Sequence, residues 1–231
     1  MATDVPEDRP GNDAGPRREC PRCSAPIASA GDGQWSCPEH GLITPLWRPR
    51  TASYDAFADH LRLADGFPTY LPWPLGPGWS VSDFAAVTVE GAPARATMTC
   101  VSGTSQLDGP VDVIAISEEP GTGFGARVAG LMAGDGTERL DPGHEIGEGA
   151  PPVRVRVGQH PVGLWAVSVS TSPGEWDRSV LAGEAHGRWL WLVLRPASAI
   201  LLLRDDWILR DVSETGPQLV ALPFGGAAPS W

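Results

Sequence analysis

Lysine is missing from this chain of 231 residues; all 17 basic side chains are arginine. A pyridoxal Schiff base, an aldolase-type lysine and the lysine of a Walker phosphate loop are thereby excluded. Positive charge is also scarce, for 28 acids bring the formal net charge to −11. A nucleic-acid backbone is a poor partner for such a surface, because phosphate binding relies on clustered cations. Long apolar runs are lacking too. The longest, Trp189–Leu194, falls far short of the roughly 20 residues that cross a bilayer. The N-terminus is polar and acidic and has no apolar core before a cleavage site, so a cytoplasmic protein with no membrane partner is the expectation.

Cysteine is sparse as well, and three of the four fall into one pattern: Cys20-x-x-Cys23 followed by Cys37-x-x-His40. Two short pairs, each able to grip one ion from a tight turn, are the sequence form of a structural zinc site. A set of four protein ligands leaves no open position for water, which argues against hydrolytic zinc chemistry. The imidazole argues against a four-cysteine iron centre. Redox chemistry at Cys20-Pro-Arg-Cys23 would call for a thioredoxin-like βαβ setting, which the surrounding sequence does not provide. One structural zinc ion is expected. Residues 1–50 hold six arginines against seven acids, so this module is not basic enough to favour nucleic acid.

The organisation reads as a disordered tail over 1–18, rich in Pro, Gly and charge, then a zinc ribbon over 19–50. A connecting amphipathic helix over 51–68 follows. Ser53 is its N-cap, Tyr54, Phe57, Ala58, Leu61 and Ala64 its apolar stripe, and Gly66 and Pro68 its stop. His60 lies off that stripe and is expected in solvent. Residues 69–231 form an α+β domain with a mainly antiparallel, twisted sheet and few helices. Trp79, Val81, Ala85, Val87 and Val89 are placed on one strand face, Cys100 in the core and Val111–Ile116 in a central strand. Val153–Val157 pairs with a strand over 162–169, and Ser179–Ala185 pairs with Arg188–Arg195 about His186-Gly187. For 198–212 a helix is expected, with two short strands about Asp205-Asp206 as the alternative.

A second candidate site is the loop Glu118-Glu119-Pro120-Gly121-Thr122-Gly123-Phe124-Gly125-Ala126-Arg127. It follows a buried strand and opens a short helix, the right setting for an anion-cradling glycine loop. Its spacing is not the dinucleotide fingerprint, and two glutamates at its mouth repel phosphate. The plain reading is a tight turn with Arg127 paired to a glutamate; the functional one is a small-ligand or enzyme site using Glu118, Glu119, Gly121, Gly123, Gly125 and Arg127. Asp141, His144 and Glu145 read as a solvated loop, and Glu184 with His186 as a structural turn. No G-x-S-x-G nucleophile elbow is present. Of the ten tryptophans, those at 73 and 79 flank a proline-rich segment and those at 189 and 191 share a strand face; one cluster can line a groove for a protein partner.

CPRC, W-x-C-x-x-HG, LPWPLGPGW, EEPGTGFGARVAG and AGEAHGRWLW together resemble an actinobacterial family of proteins of unknown function. The resemblance implies an N-terminal zinc ribbon and carries no established activity. The reading is a non-enzymatic, zinc-ribbon-containing protein-interaction or regulatory protein of unknown partner and oligomeric state, with the glycine-loop ligand site or enzyme as the alternative.

Overall fold

A computed structural model describes residues 15–131, 139–143, 146–167, 177–203, 207–214, 219 and 221–231. Its centre is a five-strand antiparallel array: β7 (Ser80–Val87), β8 (Ala96–Ser105), β9 (Gly109–Glu118), β13 (Arg188–Arg195) and β12 (Ser179–Ala185), hydrogen-bonded in that order. Apolar side chains on both faces explain why the array is covered twice. Val111, Val113 and Ala115 of β9 join Leu190, Leu192 and Leu194 of β13 in one core. Ile114, Ile116, Trp191 and Val193 alternate into the other, with Met98 and Cys100. Cys100 is therefore a core residue, and Val111–Ile116 lies in the central strand, as their patterns suggest.

The first face is covered by the sheet's own continuation. From β12 it runs through β11 (His160–Ala166) and β10 (Val153–Val157) to β14 (Ile208–Asp211) and β6 (Tyr70–Pro72). All these pairings are antiparallel except β10 with β14. Strand β6 then lies back over β8, whose Thr97 and Thr99 hydroxyls donate to the carbonyls of Pro68 and Tyr70. Over residues 198–212 the single helix is not found. A 3-10 helix, Ala197–Leu202, is followed by strand β14. The edge of β10 supplies the reason: the amides of Arg156 and Gly158 donate to the carbonyls of Trp207 and Leu209. That ladder outweighs a helical period shared by only a few side chains.

Helix α1 (Tyr54–Ala64) has the expected ends, with the Ser53 hydroxyl accepting from the Ala56 amide at 3.2 Å. Its buried face is Phe57, His60 and Ala64, while Ala58 is exposed. The expectation that His60 is solvated is therefore overturned. Its ring stacks on Phe57 and meets Phe84 edge-on, at centroid distances of 5.5 and 5.3 Å. A flat ring can join an aromatic stack that an aliphatic stripe does not reveal. The single face assigned to Val81, Ala85 and Val87 also fails. A bulge between Val81 and Asp83 sends Val81 and Phe84 to the first core, and Ala85 and Val87 to the second.

The N-terminal region joins the outer edge of this sheet. Strand β1 (Arg17–Glu19) pairs with β5 (Leu46–Arg48), and β5 pairs with β7. Arg17 and Arg18, placed in the tail on composition, are thus strand residues. The Arg18 guanidinium sits 4.9 Å from the Trp35 ring centre and 4.4 Å from that of Trp47, contacts that local composition does not encode. Between β1 and β5 lies a separate three-stranded sheet of β2 (Ala28–Gly31), β3 (Gln34–Cys37) and β4 (Gly41–Ile43).

Candidate metal centre

Two turns bring the four candidate ligands together. Cys20 and Cys23 occupy the bend after β1; Cys37 ends β3 and His40 precedes β4. Gly41 follows His40 with a φ of 66°, the left-handed backbone the hairpin needs to reverse there. The four ligand atoms lie within 4.8 Å of one another. His40 Nδ1 is 3.5 Å from Cys20 Sγ, 3.5 Å from Cys23 Sγ and 3.4 Å from Cys37 Sγ, and the sulfurs of Cys23 and Cys37 are 3.6 Å apart. Thiolates about 2.3 Å and an imidazole about 2.0 Å from a tetrahedral ion would be separated by about 3.5–3.8 Å. The donor set and spacing therefore fit one metal ion held by all four groups. No described cysteine forms a disulfide. Cys20 and Cys37 are buried, and burial pushes the Cys20 thiol up to about 12. A cation is what would let such a thiol ionise inside the fold.

The glycine loop, distant in sequence, is packed against this cluster. Arg22, inside the first ligand turn, donates to the carbonyl of Gly121 at 3.1 Å and to that of Thr122 at 3.3 Å. From the other side Arg127 donates to the Cys20 carbonyl and to Glu19 Oε2, the latter at 2.7 Å. The Arg127 side chain is 9 % exposed, so this ion pair is largely shielded from solvent. Arg127 does pair with a glutamate, but with Glu19 rather than one in its own loop.

Glu118 occupies the position an external anion would take. It closes β9 and is fully buried. Its Oε2 accepts from the amides of Phe124 and Gly125 at 3.0 and 3.1 Å, and its Oε1 from Trp191 Nε1 at 2.7 Å. Burial pushes its carboxyl up to about 7, although three donors favour the ionised form. The loop's amide cradle at the start of α2 (Phe124–Ala129) thus holds a carboxylate of the same chain. Gly125 is required by contact, since a Cβ there would lie 2.3 Å from Trp191 Nε1. Gly123 adopts a φ of 79°, and Gly121 donates its amide to Asp141 at 2.9 Å. Glu119 faces outward and meets Arg95 at 3.5 Å.

Other predicted groups lie elsewhere. Asp141 is not simply solvated: besides Gly121 it accepts from Trp189 Nε1 at 2.9 Å. His144 and Glu145 lie outside the described residues. Glu184 accepts from the Gly187 amide, and His186 stands edge-on to His160 at the tip of the β12–β13 hairpin. The sequence reading missed Arg22, although it sits within the Cys-x-x-Cys motif. It also missed Trp231, whose ring lies 4.1 Å from the Arg48 guanidinium carbon and 5.0 Å from that of Arg127. Its Nε1 donates to Asp83, which Arg48 meets at 2.6 Å.

No helix among the described residues is long and apolar enough to cross a membrane. No curated protein and no solved structure matches the chain. The sequence model of a family of unknown function, DUF6758, matches residues 15–231, a span that takes in the Cys/His cluster, the glycine loop and both faces of the sheet. The chain belongs to that family.

Proposed function

We propose that this chain is a non-enzymatic protein-binding protein in which Cys20, Cys23, Cys37 and His40 hold one structural zinc ion in an N-terminal ribbon. Three thiolates and an imidazole at tetrahedral spacing suit zinc, and a filled ligand set gives the ion a folding role. The free cysteines accord with a reducing, cytoplasmic setting. The observation that carries the binding role is a groove lined by Trp73, Trp79 and Trp207, with Pro72 and Pro74 in its walls and a volume of about 360 Å³. A second hollow of about 490 Å³ adjoins it across Trp73 and Trp79. Indole walls of this kind grip extended, proline-bearing segments, and Arg210, 4.8 Å from the Trp73 ring centre, adds a cation for an acidic neighbour. The partner is read as a protein segment with proline and flanking acids.

A small-ligand or catalytic role for the glycine loop draws less support. Glu118 already takes two of its amides, and Arg127 is committed to Glu19 and Cys20. Nucleic acid is disfavoured by the charge of −11. The test is binding of the full chain to arrayed acidic, proline-containing peptides, compared with Trp73→Ala and Trp207→Ala. Binding weakened at least about tenfold in both variants is expected, as for hot-spot aromatics. No binding, or binding indifferent to both substitutions, contradicts the proposal.

A further inference from the structure

Ahead of β1 the sequence holds a segment of the chemistry that suits the tryptophan groove. It reads Asp4-Val5-Pro6-Glu7-Asp8-Arg9-Pro10, two prolines and three acids against one arginine. The groove offers indole walls from Trp73, Trp79 and Trp207, and the adjoining hollow adds Leu222 and Pro223. Among the described residues no carboxylate lines either hollow. Arg210 lies beside Trp73, and Arg156 is exposed and in register with the groove residue Ile208. An extended, proline-bearing segment fits against indole faces, and acids next to its prolines can meet the guanidinium groups.

Strand order brings this segment within reach. Strand β1 pairs antiparallel with β5, and β5 antiparallel with β7, so β1 runs in the same direction as β7. Followed backwards, β1 therefore points towards Trp79, which immediately precedes β7. Extending the register sets Arg17 level with Ala85, which leaves Trp79 about 20 Å along the strands and about 10 Å across them. The eleven residues from Pro6 to Arg17 cover about 36 Å when extended, more than that diagonal requires. Gly15 and Pro16 border a hollow between α1 and strands β5 and β7. Phe57 of α1 and Trp79 pack on the same core, so the segment starts on the groove's own face of the sheet. Phe224 bridges to Val81 on the edge of β7 that also carries β5, and the exposed Tyr54 stands edge-on to it. These two rings give an apolar path from β1 to the groove.

Resting on the reading of that groove as a protein-binding site, we infer that residues 4–10 occupy it in the free chain, so that an external acidic, proline-bearing segment must displace them. A tether of this length sets an effective concentration on the order of millimolar, enough to seat a weak internal ligand. The test uses the full chain labelled with fluorotryptophan and a variant of equal length carrying Pro6→Ser, Glu7→Ser, Asp8→Ser and Pro10→Ser. The fluorine resonances of Trp73, Trp79 and Trp207, assigned by single Trp→Phe substitutions, should move between wild type and variant, while those of Trp189 and Trp191 stay. A synthetic peptide of residues 4–10 should bind the variant about fivefold more tightly than wild type, as when the groove is open in about a fifth of wild-type molecules. Adding Trp73→Ala to the variant should remove that gain. Unmoved groove resonances, or equal peptide affinity in both proteins, would overturn the inference. If acidic, proline-containing peptides then still bind and still depend on Trp73 and Trp207, the groove keeps its protein-binding role and only the internal occupant falls. No peptide binding to either protein would overturn both.

Discussion

Replacing Glu118 by glutamine isolates the electrostatic cost of the carboxylate buried beneath the glycine loop. Burial raises this carboxyl from its ordinary 4.5 to about 7. Below pH 4.5 the group is protonated in both the folded and the unfolded chain. As pH rises from there, the unfolded chain gives up its proton first, so stability falls until the folded group also ionises near pH 7, and then levels off. At about 1.36 kcal/mol for each pH unit, the loss across that window is roughly 3 kcal/mol. Glutamine cannot titrate. Its amide would instead oppose one of the donors from Trp191, Phe124 or Gly125, a pH-independent offset of about 1–3 kcal/mol. The assay is urea unfolding followed by tryptophan emission, at constant free zinc, for wild type and Glu118→Gln between pH 4.5 and 7.5. Contributions from other groups, such as Asp83, whose burial also raises its carboxyl, cancel in the difference between the two proteins. Wild-type stability minus that of the variant should fall by roughly 3 kcal/mol across the range. A difference that stays level, or rises with pH, would refute the placement of Glu118 as a buried, reluctantly ionised group.

Other substitutions probe the same junction. Gly125→Ala puts a Cβ into the Trp191 indole and should lower stability by about 1–3 kcal/mol, the usual cost of overfilling a packed core, read by the same urea assay. Arg127→Met removes the donors to Glu19 and the Cys20 carbonyl; transfer of zinc to a colorimetric chelator should speed up by about tenfold. Trp231→Ala strips the indole from Arg48, Arg127 and Phe124 and leaves Asp83 with one partner fewer, for a loss of about 2–4 kcal/mol in thermal or chemical unfolding.

What could be read in advance was local. The α1 ends follow from Ser53 and the Gly66–Pro68 stop, and the β12–β13 hairpin from His186 and Gly187, whose positive φ values suit a two-residue turn. The grouping of Cys20, Cys23, Cys37 and His40 was legible because the spacing of the two pairs alone suggests it. Features made by distant contact were not. The bulge at Val81–Asp83 shifts a strand by one residue and exchanges its faces, with nothing in the apolar pattern to mark it. His60 is polar by type but is absorbed by a Phe57–Phe84 stack. Glu118 and Arg127 looked like a loop mouth open to a ligand. The fold turns one inward to Trp191 and the other toward Cys20, across 73 and 107 residues of sequence respectively. Two motifs that looked separate thus form one structural joint, with Arg22 and Arg127 as its pins.

X-ray absorption at the zinc edge of the purified protein would decide whether Cys20, Cys23, Cys37 and His40 hold a structural zinc ion. A structural zinc held by all four groups requires one zinc per chain, with three sulfurs at about 2.3 Å, one nitrogen at about 2.0 Å and no coordinated water oxygen. A protein purified without zinc, or a zinc shell containing an exchangeable oxygen in place of Cys20, Cys23, Cys37 or His40, would contradict it.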